Sequence, residues 1–356
     1  MVLWSGGSIQ LAVARFTHGS SLGIESMSIR HWPTVTIRSY CALTSMKIGF
    51  VSLYGPGHFN PMSALARQLQ SRQHNVVMLS LPFVEPLARA ANLPFIRFGE
   101  KDFPDDVTAE IVGTMGRLKG AGAREFAINA IAKAAQVRWR ELPDLVSLNG
   151  IDALVLDNYD FYAEVLPIYL GIPYATVSNA LHFDYSGYTP LCVYEWEHEN
   201  TPEARQRNRQ GVSEFTQMLI RSYAEMIVEV ETAGIKPDWE DPSSLFSDLP
   251  WITQCPREFD FEGAHVPQQF QYAGPFHDGR GRPELNFPWD QLTGEPIVYA
   301  SMGTIQNGNA EVFRTIAAAV AGGALPNLCF PSAVYSGRSR SVLCRKMRSS
   351  LIMRPN

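Results

Sequence analysis

The chain has 356 residues, 46% of them apolar and 18% charged, with a formal net charge of −5, the profile of a globular protein with room for about two domains. Residues 1–45 hold a single acidic residue, Glu25, and residues 322–356 hold none but carry Arg338, Arg340, Arg345, Lys346, Arg348 and Arg354, so the acidic excess lies in the body between them and repels nucleic acid and anionic membrane. No run of about 18 apolar residues occurs, and the most apolar stretch, Phe161 to Leu181, is broken by Glu164, Pro167 and Pro173, which argues against a helical membrane span. The opening residues lack the basic-then-apolar order of a secretory signal, an expectation of the cytoplasm. Five cysteines without C-x-x-C spacing suit neither a disulfide framework nor a structural zinc site.

In chain order, residues 1–45 show no sustained period of 2 or 3.6 and read as an unstructured extension ahead of Met46, which reads as the natural start. Lys47 to Leu53 is a short apolar run closed by Tyr54-Gly55-Pro56-Gly57. Asn60 then suits a helix cap and Pro61 a first helical position, predicting a helix over Met62 to Gln73. Strand patterns follow at Asn75 to Ser80 and Pro94 to Phe98 with a helix near Glu85 to Ala91, and a helical stretch from Ala121 to Leu148 precedes a strand at Ala153 to Asp157. A helix at Phe161 to Leu170 and a strand at Pro173 to Val177 continue the alternation. Thr201-Pro202-Glu203 opens one long helix to about Thr232, and short strands are predicted at Trp251 to Gln254 and Phe270 to Ala273. This alternation predicts an α/β fold with a doubly wound parallel sheet over 46–276. Residues 277–294 read as a linker. Pro296 to Ser301 and Asn309 to Val320 repeat the strand-then-helix theme, as the start of a second domain over 295–321.

Ligands of open parallel sheets bind at the carboxyl ends of the strands. His58 follows the first strand in a glycine loop, and Asp157 closes a later strand at the same edge. An imidazole that takes a proton from a hydroxyl needs a pKa near the working pH, and a carboxylate on its other nitrogen fixes the tautomer and stabilises the cation that forms. The pair reads either as a general base with its orienting partner or as two helix-capping residues, and spacing alone leaves both readings open.

The segment GFVSLYGPGHFNPMSALARQLQSRQHNVVML resembles the amino-terminal strand, histidine loop and first helix of the UDP-glycosyltransferase family of macrolide, carotenoid and plant natural-product glycosyltransferases. DALVLDNYDFYAEVLPIYLGIPYATVSNA is similar to the family segment carrying the aspartate partner; WITQCPREFDFEG with FQYAGPF resembles its approach to the linker, and EPIVYASMGT the first strand of its donor domain. The resemblance implies a GT-B fold with a Rossmann-like acceptor domain. His58 would be the catalytic base and Asp157 its partner in an inverting transfer, with Gly303 and Thr304 on the donor diphosphate. It also implies a UDP-sugar and a small hydrophobic acceptor as partners, with no metal and no cofactor beyond the UDP-sugar co-substrate. Tyr54, Phe59, Asn179, His182 and Phe183 are candidate acceptor-binding residues by position, with Phe183 and Tyr185 equally readable as core.

The family's donor signature, W-x-P-Q followed by H-x-G-x-N and an acidic-Gln pair, is absent from the sequence. Residues 322–356 read as a frameshifted tail: read out of frame from Asn327, the codons allow a sequence resembling the family's next strand and the start of its donor motif. On this reading the donor domain is truncated and the chain as it stands turns over no UDP-sugar. An acceptor-binding remnant is the alternative. A nicotinamide dehydrogenase would share the sheet, but it requires G-x-G-x-x-G after the first strand where this chain has Y-G-P-G-H. The peptidoglycan-lipid glycosyltransferases of the same fold carry more glycines ahead of their histidine.

Overall fold

The computed structural model describes residues 2–5, 8–11, 46–261, 264, 266–281, 297–303, 310–321, 327–331 and 342–346. Its centre is a seven-stranded parallel sheet, made of β1 (Lys47–Val51), β2 (Asn75–Ser80), β3 (Phe95–Arg97), β4 (Ala153–Asp157), β5 (Tyr174–Ser178), β6 (Trp251–Thr253) and β7 (Phe270–Tyr272). The spatial order is 3-2-1-4-5-6-7, with every neighbouring pair parallel. That order reverses direction between β1 and β4, the switch point at which doubly wound sheets open a crevice. Strands β1 and β2 are almost wholly buried, as expected where helices cover a parallel sheet. Gly49 lets β1 pass closely beneath its neighbours, because a Cβ there would stand 2.8 Å from methyl carbons of both Leu79 and Leu154.

Helix α1 (Pro56–Gln70) begins earlier than the sequence suggests. Gly55 is the extended N-cap, its carbonyl accepting the N–H groups of His58 at 3.0 Å and Phe59 at 2.9 Å, and Pro56 takes the first helical position, where its fixed φ is favourable. Pro61 therefore lies inside the helix. Its missing N–H deprives the carbonyl of Gly57, and Gly57 is exposed to water. This early start places His58 in the first turn, clamped by the helix backbone.

The remaining helices are α2 (Glu85–Ala90), α3 (Asp105–Met115), α4 (Gly120–Leu148), α5 (Val165–Leu170), α6 (Pro202–Ser222) and α7 (Ala224–Thr232). The sequence reading missed α3 and joined α6 to α7. Thr201 caps α6 with its hydroxyl on the Ala204 N–H, as the T-P-E pattern indicates. The break comes at Tyr223, whose ring is fully buried edge-on to Tyr162 at 5.2 Å. One core cluster joins the sheet to α1 and part of α4; a second, rich in aromatic rings, joins α4 to α6 and α7 around Phe161, Phe183 and Phe215. An apolar concavity of about 370 Å³, lined by Ile48, Leu65, Leu69, Val155, Ile252 and Ala273, lies toward the amino-terminal ends of the strands and includes neither His58 nor Asp157.

Beyond the sheet, β8 (Ile297–Tyr299) pairs in parallel with β9 (Asn327–Pro331), which pairs antiparallel with β10 (Val342–Lys346), and α8 spans Ala310–Ala321. In the segment read as a frameshifted tail, Leu328, Cys329 and Phe330 supply an apolar run suited to a strand. Residues Val2–Ser5 and Ser8–Leu11 likewise pair as an antiparallel hairpin within the segment read as an extension. The remainder of 1–45 and of 322–356, and most of the linker over 277–294, lie outside the described residues.

Candidate active site

Strands β1 and β4 are direct neighbours, so the residues just beyond their carboxyl ends meet. His58 arrives from the first turn of α1 and Asp157 from the last position of β4, and His58 Nδ1 lies 2.9 Å from Asp157 Oδ2. The Asp157 side chain is wholly enclosed, whereas His58 keeps 19% of its side-chain surface exposed. The other carboxylate oxygen, Oδ1, accepts the Tyr159 N–H at 3.1 Å, which fixes the rotamer. A carboxylate is acceptor-only, so Nδ1 carries the hydrogen and Nε2 is left as the basic nitrogen. The Tyr159 ring stands edge-on to the imidazole at 5.3 Å and is itself held by its hydroxyl, which donates to the Leu181 carbonyl at 2.8 Å.

Two influences compete over the charge of His58. Burial, the largest, opposes protonation, but the charge and hydrogen bond of Asp157, with a further contribution from Asp160, outweigh it and raise the imidazole pKa. The helix N-terminus is another unfavourable setting for a cation, so the stabilising groups are the carboxylates. An imidazole so placed can accept a proton at Nε2 while Asp157 supports the cation.

The other candidate residues divide by burial. Phe59 is fully enclosed in the core, tilted against Phe95 at 6.4 Å, and Phe183 packs between Phe161 and Phe215 in the second cluster. Both pack against neighbouring side chains, Phe183 beside Phe215 and the half-buried Tyr185. Tyr54, Asn179 and His182 are buried polar residues with side-chain atoms lacking a protein hydrogen-bond partner: the Tyr54 hydroxyl, both amide atoms of Asn179, and His182 Nε2. His182 lies between Trp251 and Phe270, its Nδ1 3.5 Å from Asp260 Oδ2, and burial lowers its pKa against the opposing charges of Asp260 and Asp184. Gly303, at φ +72°, donates its N–H to the Ser301 hydroxyl at 3.2 Å; Thr304 lies outside the described residues. Among the described residues no group of three or more His, Cys, Asp or Glu is arranged to hold a metal, and no helix is long and apolar enough to cross a membrane.

Sequence reasoning missed Asp160, Arg138 and Asp260. Arg138 did leave a signal: it stands on the apolar face of α4, with Ala134, Ala135 and Leu142 at neighbouring helical positions.

Doubly wound sheets bind their ligands in the crevice at the switch point, and the His58–Asp157 pair lies there. No family model matches the chain. Among curated proteins, the zeaxanthin glucosyltransferase of Pantoea ananas is 24% identical over 260 residues, covering 73% of this chain and 60% of the relative. That of Pseudescherichia vulneris is 22% identical over 264 residues, covering 74% and 61%. Among solved structures, the glycosyltransferase of kitacinnamycin superposes with a TM-score of 0.54 at 18% identity, over 78% of this chain and 63% of the other. The calicheamicin glycosyltransferase CalG4 gives a TM-score of 0.51 at 16% identity, over the same shares. These likenesses show the fold, the α/β arrangement of the GT-B glycosyltransferase structures. The chain spans about 60% of the length of the curated relatives it matches.

Proposed function

We propose that the described domain is the acceptor half of a glycosyltransferase that moves a sugar from a UDP-sugar to a hydroxyl of a small hydrophobic acceptor with inversion. The observation that carries this reading is the 2.9 Å contact between His58 Nδ1 and Asp157 Oδ2 at the carboxyl edge of the sheet. In this mechanism His58 Nε2 takes the proton of the acceptor hydroxyl as the oxygen attacks the anomeric carbon, and the bond from that carbon to the diphosphate breaks on the opposite face. Asp157 keeps the ring in the required tautomer and stabilises the imidazolium. General-base assistance of this kind is worth about 10²–10⁴ in rate. Gly303 and Thr304 belong, on the family resemblance, to the donor diphosphate site. The acceptor is proposed to lie near Tyr54, Asn179 and His182, whose buried polar atoms without protein partners match a ligand bearing hydroxyl groups on an apolar body.

Turnover belongs to the whole protein, and the chain as it stands, lacking the donor signature, is proposed to bind acceptor without transferring sugar. The test is UDP release from UDP-glucose with a panel of hydrophobic alcohols and phenols. The version beginning at Met46 with the alternate frame restored is expected to release UDP and the present chain to release none. UDP release by the present chain contradicts the remnant reading.

A further inference from the structure

Asp157 opens a tight turn. Its carbonyl accepts the Asp160 N–H at 2.9 Å, and the Asp160 carbonyl accepts the Ala163 N–H at 3.0 Å. The Asp160 carboxylate forms an ion pair with the guanidinium of Arg138, which reaches in from the middle of α4, and the two side chains are only 5% and 3% exposed. A buried ion pair is a poor source of stability, since removing two charges from water offsets much of their attraction, and well-packed apolar residues often serve as well. Its presence calls for a second role, and its location three residues from Asp157 suggests one.

We propose that the Arg138–Asp160 ion pair is a positioning element for the His58–Asp157 pair, pinning the turn that carries Asp157 to α4 and placing a second carboxylate within electrostatic reach of the imidazole. The inference rests on the reading of His58 as the base. Without the clamp, the turn would keep its backbone hydrogen bonds and the Tyr159 contacts but lose its tie to α4, and the direction of Asp157 Oδ2 would be set less narrowly. The charge of Asp160 contributes to the raised pKa of His58, and that of His58 reciprocally lowers the pKa of Asp160, which burial otherwise raises. The groups facing this cluster come from every surrounding element: Tyr54 after β1, Asp157 and Tyr159 in the turn, Arg138 from α4, Glu164 ahead of α5, and Tyr223 between α6 and α7. Glu164 stays within electrostatic range of Arg138 and becomes an anion as pH rises past about 7.

The experiment is an NMR titration of the histidine rings in the full chain, with the His58 signal identified by its loss in His58→Gln. Asp160→Asn, which preserves shape and removes the charge, is expected to move the His58 midpoint downward. Arg138→Lys, which keeps the charge, is expected to stay nearer the parent. If Asp160→Asn does not fold, the double variant Arg138→Gln/Asp160→Asn offers an amide pair of similar shape and is expected to show the same downward movement. A folded variant lacking Asp160 with the parent midpoint overturns the proposal, and failure of both variants to fold counts against it as well, because the pair would then serve folding alone. The titration reads the ring itself, so this result is separate from the turnover test of the base assignment.

Discussion

His58 and Asp157, 99 residues apart in the chain, meet at 2.9 Å because β1 and β4 are adjacent, with Asp157 closing β4 and His58 in the first turn of the helix that follows β1. The pKa of His58 is raised, so the native state holds its proton above the ordinary histidine value of about 6.5. The stabilisation from this pair is therefore complete below that value and is lost as pH rises through the native pKa. Asp157→Asn should remove it, making the urea midpoint of the variant fall least, relative to the parent, at pH 9 and most at pH 5.5. A deficit that grows with pH would contradict the assignment.

Glu164 carries an effect of the same sign. Burial, opposed by a backbone hydrogen bond and Arg138 and assisted by Asp160, pushes its pKa from 4.5 up to about 7. The unfolded chain releases this proton first, so stability declines as pH rises from 4.5 toward 7. Glu164→Gln is expected to stabilise the protein by about 2–3 kcal/mol at pH 8 and by little at pH 4.5, as read from urea unfolding at both values.

Asp278 behaves in the opposite sense. Arg67 of α1 grips its carboxylate through two N–H donors, each at 2.7 Å, and holds its pKa at about 2. The stabilisation is present above the ordinary carboxylate range and is lost as pH falls through about 2. Partial exposure screens the pair, leaving about 1 kcal/mol. Arg67→Ala should release residues 276–281 from α1, seen as faster amide exchange there at neutral pH with unchanged exchange in β1 and β2.

Gly49→Ala tests the packing that sets the strand spacing. The added Cβ meets methyl carbons of Leu79 and Leu154 at 2.8 Å, and overpacking of this kind costs about 1–3 kcal/mol. A thermal midpoint equal to that of the parent would show that the core around β1 relaxes freely.

The sheet was legible where apolar runs had sharp ends: Asn75–Ser80 and Ala153–Asp157 are strands with the predicted bounds. The start of α1 was misplaced because two proline patterns compete, Gly55-Pro56 and Asn60-Pro61, and only the loop after β1 decides between them. The break at Tyr223 depends on a ring buried against Tyr162, a tertiary contact without a local signal. Position suggested His58 and Asp157 as neighbours, since strand ends at one edge converge. The burial of Phe59 and Phe183 was not legible, because an aromatic residue in a loop reads alike whether it faces a ligand or the core. The Arg138–Asp160 pair joins a helix to a turn and could only be found in three dimensions.

The most direct measurement is UDP release by the frame-restored protein with and without His58→Ala, at matched folding and saturating UDP-glucose. The expected result is a fall in kcat of about 10²–10⁴; a His58→Ala variant that releases UDP at the parent rate would contradict the base assignment.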